Sequence, residues 1–192
     1  MKTYNIIAGI NGAGKTSLYE ILNRDYELGV RVNIDELVTQ LGGTWNDTLS
    51  QIRAGRAALN LISECIDNGV TFHQETTLPG VPIFKSVNRA KEKGYCVRLF
   101  FVGIDDVKVA INRVRKRIAK GGHGVEDHII QMRFEKLPEN LKILLPLCDT
   151  VIMYDNTVKF RQIAMIENGK CIDCDSATPK WMKEFIKTKG DG

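Results

Sequence analysis

A lysine and a threonine end a glycine-rich stretch near the beginning of the chain. The stretch IIAGINGAGKTS covers residues 6–17, and its spacing is Gly9-x4-Gly14-Lys15-Thr16. Glycines let backbone N–H groups turn inward around phosphate oxygens at the positive end of the helix that follows. At this spacing the lysine reaches the β- and γ-phosphates of a nucleotide, and the threonine hydroxyl ligates Mg²⁺. The predicted nucleotide-binding residues are Gly9, Asn11, Gly12, Ala13, Gly14, Lys15, Thr16 and Ser17.

Several motifs that accompany this loop in other nucleotide-binding proteins are missing from the sequence. It has no Asn-Lys-x-Asp motif for reading guanine and no Leu-Ser-Gly-Gly-Gln signature of transporter ATPases. No apolar run ending in Asp-Glu follows soon after the loop, as it does in motor-type ATPases. Phosphoryl transfer needs a positioned nucleotide, positive charge around the γ-phosphate and a base for the attacking hydroxyl. The pattern therefore favours a kinase over a switch, a transporter or a motor.

Two groups of acidic and polar residues follow the second and third predicted strands. Asn33-x-Asp35 ends the second strand, and Glu75 and Thr77 lie in HQETT at the end of the third. In an open parallel sheet, ligands bind outside the carboxyl ends of the strands. A carboxylate there can take the proton from a substrate hydroxyl, but Asp35 can equally cap the following helix. Glu75 can bind substrate hydroxyls or help to order the metal, or the segment is an ordinary polar exit from a strand.

A basic segment follows the fourth predicted strand. In RVRKRIAKGGHG, which covers residues 113–124, Arg113 and Arg117 are four residues apart and share one helical face. The Gly121–Gly122 pair allows a hinge, and Arg133 lies on the next predicted helix. Arginines closing over a transferred phosphoryl group stabilise its developing charge, so the segment is interpreted as a lid. The alternative is a solvated basic helix.

Three further side chains near these segments are interpreted from position. His123 is expected to be a polar contact beside the lid. Trp45 and Trp181 are expected to pack in the interior rather than to stack on a ligand. The five cysteines are an odd number, which predicts reduced thiols, and Cys171-x-x-Cys174 has no second pair or histidine at zinc-ligand spacing.

The composition is that of an ordinary globular domain. The 192 residues are 43% hydrophobic and 26% charged, and the formal net charge is +4. This charge is too small and too dispersed to predict nucleic-acid binding. The most apolar run, VRLFFVGI at 97–104, is far shorter than the ~20 residues that span a bilayer, and no signal peptide is visible. We therefore expect one cytoplasmic domain with no membrane partner.

Strands and helices alternate along the chain. Apolar runs and breaker residues predict strands at 3–8, 30–35, 70–75, 95–103 and 150–156, and helices at 15–23, 47–67, 82–93, 105–119, 126–136 and 138–147. In the helix at 47–67, the apolar residues near helical spacing are Ile52, Ala57, Leu59, Ile62 and Ile66. A hairpin turning at Asn168–Gly169 and a short helix from Pro179 follow. The alternation predicts an α/β fold, a doubly wound parallel sheet with helices on both faces.

Taken in order, these segments resemble the zeta toxin family in its short chromosomal form. The resemblance spans residues 3–156 and is carried by AGINGAGKTS, VNIDE, AGRAAL, FHQETTLPG, GYCVRLFFVGI, RVRKRIAKGGHGV, RFEKLPENL and YDN. It implies one P-loop kinase-like domain over residues 1–192, with a helical lid at about 113–136. It also implies ATP-dependent phosphorylation of a sugar hydroxyl of UDP-N-acetylglucosamine or a related nucleotide sugar, with ATP and Mg²⁺ as cofactors and an antitoxin protein as a partner.

The resemblance assigns roles to individual residues. Lys15 and Thr16 match the ATP and Mg²⁺ contacts, and Asp35 matches the general base. Glu75 and Thr77 match the substrate-binding acid and threonine, and Asn33 and His123 are assigned to the substrate with them. Arg117 and Arg133 match the catalytic arginines around the phosphates, while Arg113 competes with them and is assigned to ATP. Plasmid-type relatives have a second lid arginine near the position of His123, where this chain has GGHG.

Two other functions remain compatible with the sequence. The first is a P-loop kinase whose acceptor is a different small alcohol, such as a sugar or an antibiotic. The second is a non-catalytic ATP-binding module whose lid reports the nucleotide state to a partner.

Overall fold

The fold is built on one seven-stranded sheet. The computed structural model describes residues 1–175 and 178–186. The strands are β1 (Thr3–Ala8), β2 (Val30–Val32), β3 (Phe72–Thr76), β4 (Cys96–Gly103), β5 (Thr150–Asp155), β6 (Arg161–Glu167) and β7 (Lys170–Cys174). They lie in the order β2-β3-β1-β4-β5-β6-β7. The pairs among β1 to β5 are parallel, and β6 and β7 extend the edge as an antiparallel hairpin.

Helices cover both faces of this sheet. They are α1 (Lys15–Asp25), α2 (Ile34–Gln40), α3 (Thr48–Asn68), α4 (Val81–Glu92), α5 (Val107–Ala119), α6 (Asp127–Leu144) and α7 (Lys180–Ile186). Side chains alternate between the faces of a strand, so β1 feeds two cores. Tyr4 and Ile6 belong to one buried cluster, and Ile7 belongs to a second with Leu18 of α1. The predicted doubly wound α/β fold is therefore confirmed.

The central position of β1 determines where the glycine-rich loop lies. This strand pairs with β3 on one side and with β4 on the other. All six of its residues are buried, as expected for a strand covered on both faces. The loop that leaves its carboxyl end is therefore next to the ends of β3 and β4, where an open α/β sheet binds ligands.

Two element boundaries differ from the sequence-based prediction. The second strand ends at Val32 rather than at residue 35, because Asn33 caps α2 and the helix starts at Ile34. The two helices predicted at 126–136 and 138–147 are one helix, α6, which continues through Pro138 and ends in a short 3₁₀ turn. The proline removes one helical hydrogen bond, but the buried apolar side chains of α6 lie both before and after it and outweigh that loss. These side chains are Ile130, Leu141 and Leu144.

The buried face of α3 is rotated from the one that the sequence suggested. Ile52 and Leu59 are 47% and 44% exposed. The buried residues of this helix are Ala54, Ala58, Ile62, Cys65 and Ile66. Ile62 and Ile66 are buried as predicted, whereas Ala54 and Ala58 take the place expected for Ile52 and Leu59, because apolar periodicity alone does not distinguish these two faces.

The hairpin turns at Asn168–Gly169, as predicted, with both residues at positive φ. On β7, Cys171 and Cys174 form a disulfide, so the expectation of reduced thiols is wrong for this pair and holds for Cys65, Cys96 and Cys148. Residues three apart on a regular strand point to opposite faces. An irregular register opposite Met165 and Ile166 adds one residue to β7, which brings the two sulfur atoms to the same side.

The predicted final helix starts at Lys180, one residue after Pro179. Within the described ranges, no helix combines the length and the apolarity needed to cross a membrane.

Candidate active site

The glycine-rich loop passes close to other backbone segments. Gly12 has a φ of 78°, and a Cβ there would lie 2.5 Å from the carbonyl oxygen of Ala110 on α5. Gly14 is the N-cap of α1 with a φ of 113°, and a Cβ there would lie 2.5 Å from Nδ2 of Asn156. That amide nitrogen donates to the carbonyl oxygen of Ala13 at 2.7 Å. A side chain at either glycine would therefore force the loop away from the helix and strand that support it.

Lys15 is held at the first position of α1. Its ammonium group donates to the carbonyl oxygens of Gly9 at 2.9 Å and Ile10 at 3.2 Å. Burial lowers the pKa of this lysine to about 8, and the charges of Glu75 and Asp35 partly oppose that shift. No acidic residue lies in the first turn of α1, so its positive end is not neutralised. This arrangement suits an anion.

Asn33, not Asp35, caps α2. The Asn33 side-chain oxygen accepts hydrogen bonds from the backbone N–H groups of Asp35 at 2.9 Å and Glu36 at 3.4 Å. The capping interpretation of Asp35 is therefore wrong, and its side chain is exposed in the first turn of the helix. Burial lowers the pKa of Lys15 and of Arg133, and the negative charge of Asp35 opposes both shifts. Asp35 therefore lies near both cations. A carboxylate that is free of capping and close to the loop lysine can accept a proton.

Glu75 is held at the end of β3 through a single oxygen. Its Oε1 accepts from Nη2 of Arg31 at 2.6 Å and from Nδ2 of Asn33 at 2.9 Å. Its side chain is only 8% exposed. Asn33 therefore joins the two acidic groups: its oxygen fixes the helix that carries Asp35, and its nitrogen holds Glu75.

The loop after β3 is fixed by local hydrogen bonds and by unusual backbone geometry. Thr76 Oγ1 accepts from the N–H of Leu78 at 3.0 Å, and Leu78 has a positive φ of 55°. From α6, the amide of Asn140 donates to the Leu78 carbonyl oxygen at 2.8 Å. A left-handed, buried leucine is a strained conformation that the surrounding structure must enforce, and such strain is concentrated at functional sites. Thr77 lies in this held segment.

The three arginines of the segment predicted to be a lid, residues 113–136, have different positions. Arg133 on α6 donates to Oδ1 of Asn11 at 2.5 Å, and burial lowers its pKa. Arg113 on α5 donates to the carbonyl oxygen of Gly12 at 3.4 Å. Arg117, one turn further along α5, is exposed. The segment between α5 and α6 covers residues 120–126, and an ion pair between Arg115 and Asp127 joins the ends of the two helices.

A cavity of about 240 Å³ brings most of the predicted residues together. From the loop and the strand ends it is lined by Asn11, Lys15, Asn33, Asp35, Glu75 and Thr77, and from the lid region by Arg117, His123 and Arg133. Thr16 is absent from this wall. It lines a second cavity of about 520 Å³, which shares four residues with the first: Asn33, Asp35, Arg117 and His123. Asp35 therefore lies where the two cavities meet.

Arg113 lines neither of these cavities. It contributes to a third, more open one of about 460 Å³, whose walls are formed by the basic face of α5 and Gly122. Arg117 lines all three cavities. The predicted residues thus separate into a group around Lys15 and Asp35 and an arginine that supports the loop from outside.

Sequence reasoning missed two kinds of residue in the site. Trp45 and Gln51, from the α2–α3 connection and α3, line the first cavity, although Trp45 was expected to pack in the interior. Trp181 does pack, against Phe101 and Phe185. Arg31 and Asn156 hold site residues from outside the first cavity. Asn156 stands in the YDN motif, but its role and that of Arg31 depend on partners from distant parts of the chain, Ala13 and Glu75.

The second cavity offers a nucleotide-bound magnesium ion one hydroxyl ligand, Thr16 of the glycine-rich loop. Among the described residues, no cluster of three His, Cys, Asp or Glu side chains forms a dedicated metal site. Mg²⁺ bound to nucleotides usually takes only one or two protein ligands and completes its shell with phosphates and water. The exposed Thr16 hydroxyl lines the second cavity and would provide such an oxygen ligand.

Comparison with known proteins identifies relatives of this chain. Residues 2–163 match the Zeta toxin family. An uncharacterised protein of Haemophilus influenzae is 32% identical over 126 residues, which cover 66% of this chain and 88% of that protein.

Solved structures share the fold at low identity. The PezAT chromosomal toxin–antitoxin system of Streptococcus pneumoniae gives a TM-score of 0.61 at 16% identity, covering 98% of this chain and 84% of that one. The AvrRxo1-ORF1:-ORF2 structure with ATP gives 0.68 at 14% identity over 97% of this chain. This chain spans 63% of the latter chain's length, and 45% of the matched chain in the Pnkp1/Rnl/Hen1 RNA repair complex. These likenesses show that the chain shares the fold of these proteins, in agreement with the family match.

Proposed function

Because the chain belongs to the Zeta toxin family, we propose that it is an ATP-dependent phosphotransferase that acts on a sugar hydroxyl of a nucleotide sugar. One observation carries the proposal: Lys15, Asp35, Glu75, Arg117 and Arg133 line one cavity at the carboxyl ends of the strands. These residues supply a base, an acceptor-binding acid and three cations, which are the groups that phosphoryl transfer requires.

In the proposed reaction, Asp35 accepts the proton of the acceptor hydroxyl. The acceptor oxygen then forms a bond to the γ-phosphorus of ATP, and the bond from that phosphorus to the β,γ-bridging oxygen breaks. ADP leaves with the electron pair of the broken bond, and the proton remains on the Asp35 carboxyl until it passes to solvent. Asp35 lines both the first and the second cavity. It can therefore face an acceptor in the first cavity while the phosphates lie along the glycine-rich loop.

The cations stabilise the charge that develops on the transferred group. Lys15 moves from the loop carbonyls to the β- and γ-phosphates, exchanging neutral partners for charged ones. Arg117 and Arg133 contact the γ-phosphoryl oxygens, and Arg113 holds the loop through Gly12. Thr16 would hold Mg²⁺, which would supply further neutralisation of the phosphate charge. We assign the segment at about 113–136 as a lid, which excludes water when it closes.

We propose UDP-N-acetylglucosamine as the acceptor to be tested first, because the family resemblance implies it. Glu75 would bind a sugar hydroxyl through its unoccupied Oε2, with Thr77 beside it. The cavity also has an aromatic wall, Trp45, with Ile34 and Val38 of α2 and the Gln51 amide nearby. An apolar, planar wall with one amide suits the face of a sugar or base better than a small, fully hydrated alcohol.

Mass spectrometry tests this function directly. The protein is incubated with ATP, Mg²⁺ and UDP-N-acetylglucosamine, and we expect the acceptor to gain the mass of one phosphoryl group while ADP accumulates. A panel of other nucleotide sugars and free sugars is treated in parallel. If a free sugar is phosphorylated and no nucleotide sugar is, the acceptor is a free sugar and the proposed acceptor class is wrong. ADP formation without a phosphorylated acceptor in any sample would contradict the proposed transfer.

The family also suggests a protein partner. The matched pneumococcal structure is that of a toxin–antitoxin system, which supports testing whether this chain is toxic. We propose that its expression without a partner slows growth and that Asp35→Asn abolishes the effect. Equal growth with both forms would contradict a toxic activity but would leave the enzymatic proposal to the mass measurement.

A further inference from the structure

A row of three stacked side chains lies next to Glu75. The guanidinium carbon of Arg31 is 3.9 Å from the centre of the Tyr19 ring. That ring stacks on His73 with centroids 5.2 Å apart and planes 17° apart. His73 is only 2% exposed, and its Nδ1 lies 3.3 Å from the carbonyl oxygen of Leu28. The row therefore runs from the buried β3 strand, across α1, to the side chain that binds Glu75.

Only one member of this row is charged at neutral pH. Burial lowers the pKa of His73, which keeps the imidazole neutral. A neutral imidazole does not repel the guanidinium, so the Tyr19 ring can bind Arg31 by a cation–π contact on its outer face. The Arg31 Nε is buried and has no hydrogen-bond partner within the described residues. The guanidinium group is therefore held by stacking of its plane on the Tyr19 ring and by the contacts of its Nη2 atom.

The Nη2 atom fixes one oxygen of Glu75 and leaves the other available. It lies 2.6 Å from Oε1 of Glu75 and 3.0 Å from Oε1 of Glu36. Asn33 donates to the same Glu75 oxygen, whereas Oε2 accepts no hydrogen bond from any described residue. Two donors on one oxygen restrict rotation of the carboxylate and direct Oε2 away from them. Glu75 lines the first cavity, so its free oxygen is the one that can meet a ligand.

Arg31 itself does not line the first cavity. It lines the second, and its side chain is 27% exposed. Its effect on an acceptor in the first cavity therefore passes through Glu75. Without Arg31, a carboxylate that is only 8% exposed would lose its ion-pair partner and would be free to rotate.

We propose that Arg31, braced by Tyr19, is a positioning residue that holds Glu75 in the orientation needed to bind the acceptor hydroxyl. The inference rests on the proposed function, because it takes Glu75 as an acceptor contact. Neither Arg31 nor Tyr19 lines the first cavity, so their effect on acceptor affinity is indirect and passes through Glu75.

The test separates acceptor binding from nucleotide binding. The Michaelis constants for UDP-N-acetylglucosamine and ATP are measured for Arg31→Met and Arg31→Lys. We expect the acceptor constant to rise about tenfold or more in Arg31→Met, with the ATP constant within about twofold of the parent. Arg31→Lys keeps a cation but loses the flat face and the fork, so it should recover part of the loss.

Two controls separate positioning from general stability. Tyr19→Phe keeps the ring and should match the parent, whereas Tyr19→Leu removes it and should raise the acceptor constant. Arg89→Met breaks another Arg–carboxylate pair, with Asp67 on the outer helices, and should change neither constant. Circular dichroism confirms that each variant is folded.

Two results would overturn the inference. One is an unchanged acceptor constant in Arg31→Met, and the other is an equal rise of both constants. If the parent does not phosphorylate UDP-N-acetylglucosamine, the proposed function fails for that acceptor, and a double-mutant cycle in urea with Arg31→Met and Glu75→Gln tests the contact itself. Additive effects would then reject the positioning role, and a clear coupling would support it.

Discussion

The side-chain nitrogen of Asn33 donates a hydrogen bond to Oε1 of Glu75 at 2.9 Å, across the ends of two neighbouring strands. The oxygen of the same side chain caps α2 and so positions the first turn that carries Asp35. One amide therefore sets the relative placement of the proposed base and the proposed acceptor-binding acid. The cap made by the Asn33 oxygen and the contact made by its nitrogen with Glu75 can be tested by separate substitutions.

Replacing Asn33 should separate the capping function from the link to Glu75. Asn33→Asp keeps an oxygen that can cap α2, but it places a second carboxylate against Glu75. We expect stability close to that of the parent and a clear rise in the Michaelis constant of the acceptor. Asn33→Ala loses both functions and should also lower the free energy of unfolding by about 1 kcal/mol. Urea unfolding and steady-state kinetics check the two effects, and equal kinetics for both variants and the parent would contradict the link.

Asp35→Asn should abolish most of the turnover and leave nucleotide binding intact. The change removes the proton acceptor but not the helix cap, which Asn33 provides. We expect the turnover number to fall about 100-fold or more, with an ATP dissociation constant within a few-fold of the parent. Glu64→Gln, an exposed acid on α3 that lines none of the three cavities, is the control and should retain turnover. Turnover in Asp35→Asn equal to that of the control would exclude Asp35 as the base.

Binding of ATP should become linked to proton uptake above pH 8. Burial lowers the pKa of Lys15 to about 8 in the free protein, so the amine loses its proton as the pH rises through that value. Phosphate favours the ammonium form and raises the pKa again on binding. Well below pH 8 the lysine is already charged, so ATP binding takes up no proton. Above pH 8 the binding of each ATP is accompanied by the uptake of up to one proton by Lys15. Affinity should then fall by up to about tenfold per pH unit.

Calorimetry in two buffers of different ionisation enthalpy measures this proton uptake at pH 7 and at pH 9. Lys15→Arg is the control, because a guanidinium stays charged throughout this range. It should bind ATP without uptake at either pH. The same uptake in Lys15→Arg would show that another group titrates.

Fluorescence should report acceptor binding through Trp45. The chain has two tryptophans, and Trp45 lines the first cavity whereas Trp181 packs between α7 and the sheet. We expect UDP-N-acetylglucosamine to change the emission of the parent and not that of Trp45→Phe. Trp45→Ala should raise the acceptor Michaelis constant about tenfold, and Trp45→Phe should raise it much less, since it keeps an aromatic face. An emission change that persists in Trp45→Phe would place the ligand elsewhere.

Local sequence patterns were sufficient to predict the order of strands and helices and the position of the phosphate loop. The phosphate loop, the alternation of strands and helices and the hairpin at Asn168–Gly169 each depend on residues that are close together in the chain. Apolar runs, breaker residues and glycine spacing report the local backbone conformation directly. The doubly wound fold follows from their order, because parallel strands need helical crossovers.

Local patterns failed where packing decided between two conformations. Pro138 predicted a break, yet α6 continues through it because buried side chains on both sides hold one helix. The apolar spacing of α3 pointed to Ile52 and Leu59, yet Ala54 and Ala58 lie on the buried face. At Pro138 a local preference of about 3 kcal/mol was outweighed by burial along the helix. In α3 the apolar spacing did not show which face is buried.

The sequence by itself determined which residue types stand at the carboxyl ends of the strands, and hence the class of chemistry. Only the tertiary structure decided how they are paired. The strand order β2-β3-β1 places Arg31 and Asn33 beside Glu75, more than 40 positions away in the chain. Asn33 rather than Asp35 is the cap because it has an extended backbone and directly precedes the first helical residue, and its nitrogen also reaches Glu75. The physical reason is that hydrogen bonds and ion pairs act over about 3 Å in space, whereas sequence patterns report neighbours along the chain.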